Sequence, residues 1–445
     1  MQRNKKLLVL AGVLAVMSAA TYALAEYETK NDSIQNSEAV ILEIDPDTVT
    51  TLSFETETGS FSFHKEDDTW IYDSDEDFPV DASAVENLLA EFSSLDSTFI
   101  IEEPEDLSAY GLDDPVLTVT LEADGETYTL TAGDFSKMDE ERYVSIGDGN
   151  VYLVDSDPAE TYDVGLYDLI DNDVTPVLYN RTKSLEIEGE ESLSITYTED
   201  NETLSYCADD VFFLDGTEPL DTDLVNSWLS SVGYISLDDY VNYKTEEEDL
   251  ADYGLDDPDL TITAVYENSD EEEVTFTMSV VQPKEDGACY LHVEGSQIVY
   301  QIETDTYETL MACTYDDFRH PEVYTGDLDR VTSVDVMMDG TSYTFTNDDG
   351  TWKYNDEEID MTDFETAMES ITAEDYEQPE SDSDEEIQLI IHQENETFPE
   401  VTVVINRYDG STCTAYVDGK FHSTVSRAAV VDLKEAVNAV VLSAQ

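Results

Sequence analysis

The sequence predicts an α+β protein of three tandem modules, each a mainly antiparallel, twisted sheet with one or two packed helices. Three observations carry that prediction: a hexapeptide repeated at a module-length offset, a recurring Asp-capped helix, and alternating strands joined by glycine turns. The hexapeptide Tyr110-Gly111-Leu112-Asp113-Asp114-Pro115 returns unchanged as Tyr253-Gly254-Leu255-Asp256-Asp257-Pro258, 143 residues later. Both copies run into strand-like segments, Val116 to Leu121 and Asp259 to Tyr266, in which apolar and polar residues alternate as on a half-buried strand.

The remaining elements repeat in the same order. Trp70-Ile71-Tyr72 leads through Pro79 to Asp81, and then Val85, Leu88, Leu89, Phe92 and Leu95 recur at helical spacing. Asp81 stands where a carboxylate can accept from the unpaired N–H groups of the first turn. The second set is Phe212-Phe213-Leu214, Pro219 and Asp221, followed by Leu224, Val225, Trp228, Leu229 and Val232. The third is Trp352-Lys353-Tyr354 and Asp360, followed by Phe364, Met368 and Ile371. The three cap positions are 140 and 139 residues apart, in agreement with the hexapeptide offset.

Late hairpins complete each set: Arg142–Ile146 turning at Gly147–Asn150 into Val151–Val154, Cys289–Val293 turning at Glu294-Gly295-Ser296 into Ile298–Tyr300, and Ala415-Tyr416-Val417 turning at Asp418-Gly419. Glycine supplies the positive φ of such turns, while Tyr, Val and Thr suit the strands. A closing helical stretch is expected over Arg427 to Leu442. In the third set an acidic segment, Pro379 to Glu386, replaces the hexapeptide and leads into Ile387–Ile391. The expected organisation is an N-terminal hydrophobic segment at 1–25, a linker at 26–44, and modules at 45–180, 181–325 and 326–445.

Of the 445 residues, 106 are Asp or Glu and only 18 are Lys or Arg, a formal net charge of −88. Phosphate binding needs basic patches that release counterions, so nucleic acid is excluded as a partner. Attachment to anionic headgroups by charge is disfavoured for the same reason. The chain is nevertheless no disordered acidic tail, because it is 40% hydrophobic and contains 27 Tyr. From Val401 to Gln445, acidic and basic residues balance, the expected mark of a better-packed terminal unit.

Arg3, Lys5 and Lys6 precede an apolar run from Leu7 to Ala25 that no charge interrupts. A basic flank before such a run is an export signal, with the basic end on the cytoplasmic side. Its 19 residues, at about 1.5 Å each, come close to spanning a bilayer core of roughly 30 Å. Residues 7–25 are therefore expected to hold the protein in the membrane as a single pass, with the bulk of the chain extracytoplasmic. Cleavage after Ala23-Leu24-Ala25 would instead release a secreted protein. No Cys lies in the first 200 residues, so a lipid-modified cysteine is excluded.

A search for chemistry finds little. His64, His292, His320, His392 and His422 show no metal-ligand spacing, and no nucleophile-elbow, P-loop or dinucleotide motif occurs. Cys207, Cys289, Cys313 and Cys413 form no C-x-x-C; outside the cytoplasm they are open to disulfide pairing in three ways or to existence as buried thiols. Asp73, Asp75 and Asp77 alternate like calcium ligands, but Phe78 stands at the position of the loop glycine and Ala84 at the twelfth position. In the hexapeptides Gly111 and Gly254 permit a left-handed turn, Pro115 and Pro258 end the preceding helix, and Tyr110 and Tyr253 can pack beneath. The sharper alternative makes Asp113, Asp114, Asp256 and Asp257 weak cation ligands. No catalytic or cofactor-binding residue is assigned, and weak Ca²⁺ binding is the one cofactor expectation.

These motifs resemble a bacterial family numbered 4340 among the domains of unknown function. The resemblance rests on the Trp-to-Asp-capped-helix segment, the YGLDDP turn and the Tyr-Val…Val-Tyr hairpin, in tandem copies over the exported chain. It implies an extracytoplasmic, membrane-anchored protein associated with transporters of the ATP-binding-cassette type. The leading expectation is thus a non-enzymatic accessory or binding component of a transport or envelope assembly. Two alternatives are a carboxylate-based hydrolase of glycans and a calcium-stabilised adhesin. The adhesin reading predicts a melting temperature that falls when Ca²⁺ is replaced by chelator; equal values remove it.

Overall fold

The computed structural model describes residues 39–56, 59–284, 287–380 and 384–444, together with Thr21. The expected anchor at 7–25, Thr21 apart, and its cleavage site lie outside these residues. Among the described residues no helix is long and apolar enough to cross a membrane. Strand exceeds helix, 41% against 21%, so antiparallel sheets set the architecture and the α+β class holds. The chain forms two compact units. One runs to Asp173 and takes in Asp238–Lys244; the other comprises Val174–Leu237 and the chain from Thr245 onward.

The sheet of the first unit orders its strands as Thr69–Tyr72, Gly59–Glu66, Val49–Thr56, Leu117–Ala123, Glu126–Ser136, Glu141–Ser145, Val151–Val154 and Phe99–Ile101. The centre of this sheet is legible in its alternation. Leu117, Val119, Leu121 and Ala123 are buried while Thr118, Thr120 and Glu122 take the other face, the pattern of a sheet packed on one side only. Leu52 pairs with Leu121 across the central ladder. The helix Ala82–Ala90 covers the apolar face through Val85, Leu88 and Leu89. Asp81 caps it, its Oδ1 accepting from the N–H of Ser83 at 2.8 Å. The helix ends sooner than the apolar spacing predicts. Phe92 lies in the following turn and Leu95 opens the strand Leu95–Ser97, yet both stay in the same core because the chain folds back over it.

The second unit holds two further sheets. One runs Glu218–Leu220, Phe212–Leu214, Ser192–Tyr197, Thr182–Glu188, Leu260–Glu267, Glu273–Val281, Cys289–Val293 and Val299–Ile302. The other runs Glu357–Glu358, Thr351–Tyr354, Thr341–Asp348, Val331–Met338, Glu385–Gln393, Glu400–Arg407, Thr412–Val417, Lys420–Ser426 and Ala373–Asp375. Each of the three central ladders carries a register irregularity at its start, between Val49 and Thr51, Thr182 and Ser184, and Val331 and Ser333.

The helix Thr222–Gly233 buries Val225, Trp228, Leu229 and Val232 and is capped by Asp221. Leu224, expected on that face, is 38% exposed; it sits in the first turn at the edge of the stripe. In the helix Thr362–Glu369, Asp360 lies one residue before the cap position but still accepts from the N–H of Thr362 at 3.0 Å. The terminal helix Arg427–Ser443 packs against Thr362–Glu369 and the last strands. Its Lys434 reaches Glu386 and Asp339, each at 3.1 Å, and Arg427 reaches Glu386 at 3.5 Å.

The repeated hexapeptide is a helix stop in both copies. Short 3₁₀ helices, Leu107–Tyr110 and Glu247–Tyr253, end at Gly111 with φ 71° and Gly254 with φ 80°. Tyr110 packs on Tyr143 and Tyr253 on Tyr290, with ring centroids 5.1 and 5.4 Å apart. The surroundings differ. A Cβ on Gly111 would lie 2.7 Å from the backbone nitrogen of Asp134, whereas one on Gly254 would meet nothing nearer than Pro283 Cγ at 3.3 Å. Left-handed backbone costs an L-residue about 1–2 kcal/mol. Gly254→Ala should therefore lose about that much stability in denaturant unfolding, and Gly111→Ala clearly more. Equal losses would show that the close approach to Asp134 is immaterial.

Candidate functional site

A cleft of about 470 Å³ opens within the second unit. Its walls come from four segments: the loop around Thr203–Tyr206, the edge strand at Thr217–Pro219, the stretch Tyr315–Thr325, and the hairpin Val417–His422, with Phe398 beside them. Buried Asn201 organises the first loop. Its side-chain nitrogen lies 3.1, 3.0 and 2.6 Å from the carbonyls of Cys207, Ala208 and Asp210, which closes the loop into a fixed curl. At the end of that curl stands Asp210, 1% exposed and, among the described residues, the one acidic residue that is fully buried.

An ionised carboxylate away from water must be paired and hydrogen-bonded. Asp210 meets that requirement with the Ser205 hydroxyl, which donates to Oδ2 at 2.6 Å, and His320, whose Nε2 lies 2.8 Å from Oδ1. The other ring nitrogen of His320, Nδ1, faces Asp221 Oδ2 at 3.6 Å. Glu322 joins them, so that one ligand atom from each of Asp221, His320 and Glu322 lies within 4.8 Å of the others. Burial alone would lower the His320 pKa, but the hydrogen bond to Asp210 and the charges of Asp210, Asp221 and Glu322 outweigh it and raise the value above 6.5.

Asp221 is placed by its helix. Its Oδ1 accepts from the N–H groups of Asp223 and Leu224 at 2.9 and 3.1 Å, and its own N–H donates to the Phe318 carbonyl at 2.8 Å. His320 and Glu322 flank Pro321, which biases the residue before it to extended backbone. The chain bends at Pro321, and the side chains on either side of it come within 4.8 Å of each other.

On the same segment as His320, Arg319 stacks over Tyr376 at 4.3 Å and Tyr315 at 5.0 Å and donates to the His422 carbonyl at 2.9 Å. Burial, with Arg319 and His320 nearby, drives the His422 pKa down to about 4. Tyr206 stacks on Tyr324 at 5.6 Å and meets Phe398 edge-on at 6.0 Å, giving an aromatic wall; burial pushes its hydroxyl up to about 12.

The residues singled out by sequence lie outside this cleft. Asp113, Asp114, Asp256 and Asp257 are exposed on their turns, and among the described residues none belongs to a cluster of three liganding side chains. Tyr110, Gly111, Pro115, Tyr253, Gly254 and Pro258 serve the fold. The alternating Asp73 and Asp75 are engaged by protein donors, Asp73 by Ser62 and His64 and Asp75 by Tyr243 and Lys244. All four cysteines are free thiols. Burial pushes Cys207 and Cys313 up to about 12 and Cys413 to about 11, far from the thiolate a nucleophile needs.

Sequence reasoning saw Asp221 only as a cap and His320 as a lone histidine. The local signal was His320-Pro321-Glu322, a histidine and an acid on either side of a proline. Asp210 and Asp221 give no such signal among so many carboxylates.

A family model, Domain of unknown function (DUF4340), matches residues 70–210 and again 215–389. No curated protein and no solved structure matches the chain.

His422 also sets a pH dependence. A histidine whose folded pKa lies below its unfolded value of 6.5 gives full stability above 6.5 and loses it as pH falls toward about 4. His422→Gln should flatten the drop in melting temperature between pH 7 and 5; an unchanged slope would refute the burial assignment. The chain belongs to the DUF4340 family, with two tandem matches.

Proposed function

We propose that this member of the DUF4340 family is a non-enzymatic, extracytoplasmic accessory protein of three tandem modules, tethered through residues 7–25. Its cleft engages a component of an ATP-binding-cassette-type transport or envelope assembly. The observation that carries this reading is the character of the cleft. It joins an aromatic wall of Tyr206, Phe398 and Phe421 to Arg319 and Lys420, cationic groups in a chain with 18 Lys and Arg against 106 acids. Aromatic side chains and arginine are the residues that dominate protein recognition.

The ring nitrogens support binding over catalysis. Each histidine has one held by a partner: His64 by Asp73, His292 by the Ser296 carbonyl, His320 by Asp210, His392 by Asp335 and His422 by Ser423. The one hydroxyl among these partners, that of Ser423, is buried, so it is out of substrate's reach. The three-module reading draws support from the common strand order, the shared irregularity of the central ladders and the recurring capped helix.

Affinity purification of the full chain from solubilised membranes checks the accessory role. A transporter or envelope protein should co-enrich with the wild type and be depleted at least several-fold with the Lys420→Glu, Phe421→Ala double variant. If none enriches above background, the accessory reading fails.

A further inference from the structure

We propose that Asp221, His320 and Glu322 bind one divalent transition-metal ion of the zinc type at the floor of the cleft. The proposal goes beyond the accessory reading and does not depend on it.

Asp210 is a buried acceptor at 2.8 Å from Nε2, and a carboxylate there fixes the ring proton on Nε2. In the neutral ring the lone pair of Nδ1 then points at Asp221 Oδ2, another acceptor, 3.6 Å away. A metal ion that takes the place of a proton on Nδ1 would find that nitrogen, an Asp221 oxygen and a Glu322 oxygen within 4.8 Å of one another. Three carboxylates about one ring call for a positive charge, which the imidazolium supplies in the metal-free protein and a metal ion bound at Nδ1 would supply in its place. The pattern of a histidine that presents one nitrogen to a metal and donates the other N–H to a carboxylate is the usual support of a metal ligand.

The rest of the geometry is consistent with an ion rather than a chance meeting of acids. Asp221 spends Oδ1 on its helix cap and turns Oδ2 to His320. Glu322 and His320 flank the bend at Pro321 and bring their ligand atoms within 4.8 Å. Asp210, beneath the ring, is the single fully buried acid among the described residues. Zn²⁺ sits about 2.0–2.2 Å from nitrogen and carboxylate oxygen, which the mutual spacing within 4.8 Å allows after a small closure. A nitrogen ligand favours zinc-like ions over Ca²⁺, which takes six to eight oxygens. Water from the cleft would complete the coordination. The first unit does not repeat the set: Asp81 donates to Leu169 as Asp221 does to Phe318, and the residue two further on is Asp171 instead of histidine.

Calorimetric titration of metal-stripped full-length protein with Zn²⁺, in excess Ca²⁺ to occupy scattered carboxylates, tests the site. One equivalent should bind well above the weak background. His320→Gln and Glu322→Gln should each abolish it, and Asp210→Asn should weaken it about 10–100-fold. Co²⁺ in the same site should give a visible absorption band that His320→Gln removes. Glu322→Gln guards against misfolding, since Glu322 joins the fold through a backbone bridge to Thr372. If no equivalent stands above background, or if it survives both His320→Gln and Glu322→Gln, the site is overturned and the cluster is an imidazolium held among carboxylates.

Discussion

A chain with 106 acidic groups and 18 basic ones cannot bury its carboxylates, because each unpaired one would lose several kcal/mol of hydration. That single requirement shapes every sheet. Central strands keep an apolar face and a face in water, as Leu117–Ala123 does, and the helix Ala82–Ala90 covers the apolar face. The acids that do not fit on an outer face go to turns. Asp124-Gly125, Asp215-Gly216, Asp339-Gly340, Asp349-Gly350 and Asp418-Gly419 all have positive φ at both residues, the conformation in which a hairpin turn favours Asp followed by Gly. The charge is therefore distributed over solvated faces and turns, and its repulsion acts on the solvent side of the sheets.

Against that background the exception is informative. Asp210 is buried, and the structure surrounds it with an organised loop, a serine and a histidine. The same cap that starts the helix Thr222–Gly233 ties Asp221 to the chain at Phe318. That bond brings His320 and Glu322 over the cap. The cap and tie that Asp81 makes to Leu169 are repeated at Asp221 and Phe318, but there they also build a polar cluster, because a histidine follows two residues after the tie and Asp210 bonds to it.

Much of the fold was legible because it is written in local periodicity. Asp81 and Asp221 were recognisable as caps and Gly111 and Gly254 as left-handed turns, since each depends on neighbours a few residues away; the helix stop assigned to Pro115 and Pro258 falls instead at those glycines. The errors mark where periodicity and tertiary packing part. Phe92 and Leu95 continue the helical spacing although the helix has ended, because a returning chain can bury residues at the same intervals. Leu224 fits the stripe by spacing but lies where the first turn meets solvent.

The sequence by itself determined the antiparallel sheets, their capped helices, the hairpin turns and the strongly negative net charge. Those follow from alternation, turn chemistry and composition, which act over a few residues or over the chain as a whole. Only the tertiary structure decided which of the many carboxylates matter. Asp210 and Asp221 reach His320 because the chain returns across the helix start after a full sheet has intervened. No local pattern encodes that meeting: burial and the geometry of the crossing select those acids, and both are properties of the folded chain.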